Sequence, residues 1–125
     1  MDTSLIKGVV VPILTPIDEE ERIDEARLRS QVNYVIEGGV LGILAFGSNG
    51  EFYMVEEDEM KRGLEIIVSE ARGRVPVYFG IGAINTRKCI RLAKMAVENG
   101  AYGISVLQPM FLKPTEEELF LHFKS

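Results

Sequence analysis

A short polar segment, Gly-Ser-Asn-Gly-Glu at residues 47–51, has the residue types in this sequence that are best suited to chemistry. Small residues let a backbone approach a ligand closely, so the N–H groups of Ser48, Asn49 and Gly50 are candidates for binding a carboxylate or a phosphate. The Ser48 hydroxyl adds a group that can pass a proton. Asn49-Gly50 is also typical of a plain tight turn, and the segment alone leaves both interpretations open. A P-loop is excluded, because neither Lys-Ser nor Lys-Thr follows Gly50.

Two further segments follow apolar runs and are weaker candidates. Residues 80–83, Gly-Ile-Gly-Ala, contain a lone Gly-x-Gly, which is more typical of close packing than of cofactor binding. Residues 108–114 form an apolar tip that contains Pro109 and Pro114, and a rigid loop covering the core is the simpler interpretation.

Four apolar runs rich in β-branched residues predict the strands that position these segments. The runs do not alternate polar with apolar residues, which is typical of parallel strands buried on both faces. They begin roughly 30 residues apart, the length of one strand–helix unit. The runs are Val9–Leu14, Leu41–Phe46, Val75–Ile81 and Gly103–Leu107.

Helical spacing fills the gaps between the runs. Apolar residues three and four apart predict three helices, marked by Leu28, Val32, Val35 and Ile36, by Met60, Leu64, Ile67 and Val68, and by Ile90, Ala93 and Val97. Asp24 and Thr86 are the predicted N-caps of the first and third helices. A fourth helix opens after Pro114, where Thr115 and Glu118 have the spacing of a capping box.

The chain is therefore predicted to be an α/β protein of four parallel (βα) units. Two architectures fit: the N-terminal half of a (βα)8 TIM barrel, and a small doubly wound sheet of the flavodoxin type. The sequence stops about three turns into its fourth helix, which favours the half-barrel. In either fold the chemistry lies at the carboxyl ends of the strands, and residues 47–51 follow such an end.

The amino-acid composition argues against some kinds of binding partner. The 125 residues are 46% hydrophobic and 26% charged, as in an ordinary globular domain. The net charge of −5 argues against a nucleic-acid surface, and the apolar runs are too short to span a membrane. The single cysteine, Cys89, cannot form an internal disulfide, which suits a reducing compartment. We expect a cytoplasmic protein.

Three motifs in order along the chain resemble the dihydrodipicolinate synthase/N-acetylneuraminate lyase family. Residues 11–16 are similar to the opening strand of that family, which ends in Thr-Pro. Residues 47–51 stand where the family has Gly-Thr/Ser-Thr-Gly-Glu. Residues 109–119 resemble its run of proline, aromatic pair, second proline and helix, with Met110-Phe111 in place of the pair. The resemblance covers the chain from Gly8 to Lys124.

The resemblance implies a (βα)8 barrel that forms a Schiff base between a lysine and pyruvate or another 2-oxo acid, and then makes or breaks a carbon–carbon bond. It implies that Ser48 contacts the carboxylate of the 2-oxo acid and joins a proton relay, and that Asn49 and Gly50 share in binding the carboxylate. The Ser48-Asn49 pair is more similar to aldolases acting on 2-keto-3-deoxy or 4-hydroxy-2-oxo acids than to the synthases. No cofactor and no metal are implied.

The sequence departs from the family in two ways. Phe111 stands at the usual position of a relay tyrosine and has no hydroxyl. The family's Schiff-base lysine lies on a sixth strand, so we expect residues 1–125 to be a single N-terminal half-barrel without that strand. Only Lys113 is near the predicted catalytic face, and a lysine between loop prolines is ordinarily solvated.

We therefore expect this chain alone to lack full activity. The alternative function is a catalytically inactive half-barrel that serves in assembly or binds small anions. A homo-oligomer is expected in either case, because half a barrel leaves two sheet edges unpaired.

Overall fold

The computed structural model describes residues 7–125 as strands and helices in strict alternation. Each strand lies within the apolar run that predicted it. The strands are β1 (Val10–Pro12), β2 (Gly42–Ala45), β3 (Val77–Ile81) and β4 (Gly103–Val106). The helices are α1 (Glu25–Glu37), α2 (Glu57–Ala71), α3 (Thr86–Glu98) and α4 (Glu116–Lys124).

The four strands form one parallel sheet in the order β1-β2-β3-β4. A doubly wound sheet of the flavodoxin type places its second strand outside the first, so the observed order excludes that architecture. Helix α1 packs against α2, and α2 packs against α3. The helices thus follow one another along the sheet in chain order, which is the arrangement of a (βα)8 barrel.

The core lies between the sheet and the first three helices. Every residue of β2 and β3 is buried except Leu44 and Tyr78, which are partly exposed, and the stripes predicted on α1 and α2 supply the other side of the core. The buried residues of these four elements include Ile43, Ala45, Val77, Phe79, Ile81, Leu28, Val32, Met60, Leu64 and Ile67. The period-3.6 pattern therefore identified the buried faces of both helices correctly.

Helix α3 is present where Ile90, Ala93 and Val97 predicted it, but its most buried residues lie one position earlier in the sequence. Its buried residues are Cys89, Leu92 and Ala96, whereas Val97 is 68% exposed. Both stripes have helical spacing, so the pattern alone did not separate them. The contacts of α3 with β3, β4 and α2 therefore decide which of the two stripes is buried.

Helix starts agree with the sequence except at α3. The Asp24 side chain caps α1 by accepting from the Arg27 N–H, at 2.9 Å. Thr115 and Glu118 form the predicted capping box at α4. At α3 the cap is Asn85, which accepts from the Lys88 N–H at 3.2 Å. Thr86 is the first helical residue instead, and its hydroxyl lies 2.9 Å from Nδ1 of His122 on α4.

Candidate functional site: the carboxyl edge of the sheet

The 47–51 loop forms a compact turn immediately after β2. Residues Ser48–Gly50 make one turn of 3-10 helix, in which the Gly50 N–H donates to the Gly47 carbonyl at 3.0 Å. The Glu51 N–H donates to the Ser48 carbonyl at 3.2 Å. These bonds use the N–H groups of Gly50 and Glu51 and not those of Ser48 and Asn49, both of which are exposed residues. The loop is therefore a tight turn, and two of its N–H groups have no backbone partner among the residues that the structure describes.

Left-handed residues mark the entry and the exit of this turn. Phe46 has φ +53° although its side chain is buried, and Glu51 has φ +50°. A bulky residue adopts this conformation only where its surroundings enforce it. The Phe46 ring packs against Phe79, with 5.4 Å between ring centroids. Core packing thus turns the chain sharply at the end of β2 and directs the loop along the carboxyl edge of the sheet.

The Gly-x-Gly at the end of β3 serves close packing, as its sequence context indicated. A Cβ atom on Gly80 would overlap the Phe46 carbonyl oxygen, and one on Gly82 would overlap the Phe52 ring. Both glycines therefore make room for the segment that contains the 47–51 loop. The close approach of Gly80 to Phe46 fixes the start of the loop against β3.

The end of β1 supports the loop from the other side. The Thr15 hydroxyl donates to the Gly50 carbonyl at 2.7 Å. Thr15 lies within the Thr-Pro motif, but sequence reasoning did not assign it a role. The only signal was its place directly after a predicted strand, where a hydroxyl can reach the loop of the neighbouring strand.

A buried carboxylate, Glu59, holds the loop between β1 and α1. Glu59 is 7% exposed and accepts from Nη2 of Arg22 at 2.7 Å and from the Ile23 N–H at 2.8 Å. The hydrogen bond from Arg22, followed by that from the Ile23 N–H, lowers the pKa of Glu59. Sequence reasoning missed this residue, since an acidic residue early in a helix is ordinarily exposed.

Phe111 lies on the β4–α4 loop with φ +78° and its side chain 94% exposed. No hydrogen bond or ring contact within residues 7–125 joins it to Ser48. The structure therefore places Phe111 on the edge that carries Ser48 but does not bring the two side chains into contact. A phenyl ring in this conformation has no group that could relay a proton.

The lysines lie where the sequence predicted. Lys61 is on α2, Lys88 and Lys94 are on α3, and Lys124 is on α4. Two of them form ion pairs on the outer surface: Lys61 with Glu65 at 3.8 Å, and Lys88 with Glu57 at 3.5 Å. Lys113 is exposed on the β4–α4 loop. A Schiff-base nucleophile needs burial or a neighbouring cation, and exposure at Lys113 supplies no burial.

Residues 7–125 contain neither a cluster of metal ligands nor a membrane-spanning helix. No group of three or more His, Cys, Asp or Glu residues in that range is arranged to hold a metal ion. Among the same residues, no helix is long and apolar enough to cross a bilayer.

A family model decides the relationship of this chain to known proteins. The model of the dihydrodipicolinate synthetase family matches residues 5–125. The chain belongs to this family. The sequence resemblance is thereby confirmed, and membership of the dihydrodipicolinate synthetase family covers nearly the whole chain.

Individual relatives agree with the family match. The chain is 42% identical over 119 residues to the 4-hydroxy-tetrahydrodipicolinate synthase of Acidiphilium cryptum, covering 95% of this chain and 41% of the relative. The dihydrodipicolinate synthase of Acinetobacter baumannii, solved in complex with pyruvate, superposes with a TM-score of 0.92 at 34% identity, covering 95% of this chain and 41% of that one.

A second pyruvate complex gives the same result. A prophage protein of the dihydrodipicolinic acid synthase family from E. coli K12 superposes with a TM-score of 0.92 at 30% identity, covering 97% of this chain and 41% of that one. The predicted fold class, a parallel (βα)4 half of a (βα)8 barrel, is thus confirmed. The chain spans about two fifths of the length of the relatives it matches.

Proposed function

We propose that this chain forms the N-terminal half-barrel of a carbon–carbon lyase or synthase that acts on pyruvate or another 2-oxo acid through a lysine Schiff base. One observation supports this most directly. At the carboxyl edge of the sheet, Ser48 and Asn49 are exposed and their N–H groups make no backbone hydrogen bond within residues 7–125, in a family whose solved members include pyruvate complexes. In this proposal residues 1–125 are one domain, and the strand with the Schiff-base lysine lies outside them.

In the proposed chemistry the 47–51 loop binds the substrate, and a lysine outside residues 1–125 forms the Schiff base. The N–H groups of Ser48, Asn49 and Gly50 bind the carboxylate of the 2-oxo acid, although Gly50 must then share its N–H with the Gly47 carbonyl. The Ser48 hydroxyl moves a proton to or from the substrate, and Phe111 takes no part in the relay. The lysine amine attacks the substrate carbonyl carbon, and water leaves as the Schiff base forms.

The choice between a synthase and an aldolase is also a proposal. The relatives named above are synthases, whereas Ser48-Asn49 resembles aldolases acting on 2-keto-3-deoxy or 4-hydroxy-2-oxo acids. An inactive half-barrel that binds small anions is the second candidate, and the outer-surface positions of Lys61 and Lys88 support it. A cytoplasmic location is proposed from the single, buried Cys89.

Pyruvate is expected to bind the chain weakly at the 47–51 loop. Because the covalent partner is absent, we expect a Kd of about 1 mM or weaker, which corresponds to roughly −4 kcal/mol. The measurement is a pyruvate titration followed by the amide shifts of Ser48 and Asn49. Acetone lacks the carboxylate and is the matched control ligand. Equal shifts with both ligands, or none with tens of millimolar pyruvate, would leave the loop as a plain turn.

Self-association is expected through the outer edges of β1 and β4. No strand within residues 7–125 pairs with these edges, and Val10, Leu14 and Ile104 are exposed beside them. Two copies would supply eight parallel strands, the number that closes a TIM barrel. Sedimentation at micromolar concentration should therefore show a dimer or a larger species.

An edge variant tests this mode of association. Val10→Lys places a charge on β1 and should shift the population toward monomer, since edge lysines oppose strand pairing. Tyr34→Lys introduces the same charge at an exposed position of α1, away from the strand edges, and should leave association unchanged. A single monomeric species of the unmodified chain would contradict the proposal.

A further inference from the structure

We propose that Thr15 is a positioning residue for the 47–51 loop: its hydroxyl holds the Gly50 carbonyl and thereby keeps the N–H groups of Ser48 and Asn49 directed at a bound carboxylate. The inference rests on the proposed function of the loop. It adds a residue that follows β1 to a site whose other members all follow β2.

The contact between Thr15 and the loop is direct. Thr15 Oγ1 donates to the Gly50 carbonyl at 2.7 Å, and the two residues are 35 positions apart in the chain. Gly50 itself is buried against β1, since a Cβ atom there would lie 3.1 Å from the Ile13 carbonyl oxygen and 3.2 Å from Thr15 Oγ1. The loop therefore rests on the backbone at the end of β1, and the hydroxyl fixes the orientation of its last peptide group.

Backbone hydrogen bonds on both sides of Thr15 hold its position in the fold. On its N-terminal side, the Ile13 N–H donates to the Leu44 carbonyl at 3.1 Å. On its C-terminal side, the Pro16 carbonyl accepts from the Asp24 N–H at 2.9 Å. These two bonds join Thr15 to the sheet and to the start of α1, so its hydroxyl is a fixed point from which the loop can be positioned.

Loss of the hydroxyl should free the peptide group between Gly50 and Glu51. The only other hydrogen bond that holds this group in the described structure is the one from its Glu51 N–H to the Ser48 carbonyl at 3.2 Å, and the glycine at position 50 permits many backbone conformations, so the group can rotate more freely. A rotated group would relax the 3-10 turn and move the Asn49 N–H away from its binding direction. Binding must then select the minor, ordered loop, and the apparent affinity falls by the fraction of the population that is ordered.

Two variants of Thr15 separate the hydroxyl from the packing of the side chain. Thr15→Val keeps the volume and removes the hydroxyl, whereas Thr15→Ser keeps the hydroxyl and removes a methyl group. In the pyruvate titration we expect Thr15→Val to raise the Kd by about five- to tenfold, the effect of one lost hydrogen bond. Thr15→Ser should stay within about twofold of the unmodified chain. Equal affinities for all three chains, or equal losses in both variants, would overturn the proposal.

A ligand-free measurement distinguishes failure of this inference from failure of the proposed function. The ¹³C shift of the Gly50 carbonyl reports the hydrogen bond whether or not pyruvate binds. If the unmodified chain shows no pyruvate response, the proposed function fails. The positioning role of Thr15 is then decided by the carbonyl: a shift in Thr15→Val that is absent in Thr15→Ser, with faster amide exchange at Ser48 and Asn49, supports it. Unchanged carbonyl shift and exchange in Thr15→Val overturn it.

Discussion

Pyruvate and borohydride should trap no adduct on the 125-residue chain. A Schiff base forms only when an uncharged amine is held against the carbonyl carbon of the substrate. Lys61 and Lys88 are paired with carboxylates on the outer helices, and Lys113 is exposed on a loop. A serine hydroxyl such as that of Ser48 cannot replace the amine. Intact mass measurement after reduction should therefore show the unmodified chain, and no lyase turnover should be detected.

The positive control for this experiment is the chain extended by four further βα units. That protein should gain one pyruvate adduct under the same conditions, because the added units would supply the lysine. A stoichiometric adduct on the 125-residue chain would contradict the prediction. If Lys113→Arg then abolished the adduct, Lys113 would be the nucleophile and the role assigned to the absent strand would be wrong.

Gly80→Ala should destabilise the fold by about 3 kcal/mol, the upper range for overpacking a rigid site. The new Cβ would overlap the Phe46 carbonyl oxygen and lie 2.7 Å from the Phe46 carbonyl carbon and 2.9 Å from the Gly47 nitrogen. These are backbone atoms at the junction of two central strands, so they cannot move aside as a flexible side chain would. Urea unfolding should show a lower midpoint with an unchanged slope.

Gly47→Ala is the matched control for Gly80→Ala. Gly47 is also buried, but it has room for a Cβ atom, since the nearest atom would be Cδ2 of Leu44 at 3.4 Å. Its φ of −76° is one that any residue can adopt. We expect this variant to cost less than about 1 kcal/mol, within the range of ordinary substitutions. Equal unfolding free energies for the two variants would show that the junction of β2 and β3 is more adaptable than the contacts at Gly80 indicate.

The order of strands and helices was predictable because each is indicated by a short stretch of the sequence. Parallel strands buried on both faces produce continuous apolar runs, and the runs at residues 41–46 and 75–81 are of this kind. The ends of the first three helices also depend on nearby residues. A glycine with positive φ follows each of them, at Gly39, Gly73 and Gly100. The 47–51 loop could be located for the same reason, as the first polar residues after a buried strand.

The support of the loop was not predictable, because it depends on residues far apart in the chain. The Thr15–Gly50 bond joins positions 35 apart, and the Arg22–Glu59 bond joins positions 37 apart. Nothing near Thr15 or Glu59 in the sequence marks the partner. The left-handed backbone of Phe46 was missed for a related reason, since only packing against Phe79 makes this conformation acceptable.

The sequential strand order has a consequence for how the chain acquires its structure during synthesis. Every strand pairs with the strand made immediately before or after it. The contacts of the sheet therefore close loops of only one βα unit, roughly 30 residues each, so no pairing has to wait for a distant part of the chain. Strand β2 has a hydrogen-bonded neighbour along each edge once β3, which ends at Ile81, has emerged from the ribosome. The nascent chain can therefore acquire protease resistance one unit at a time.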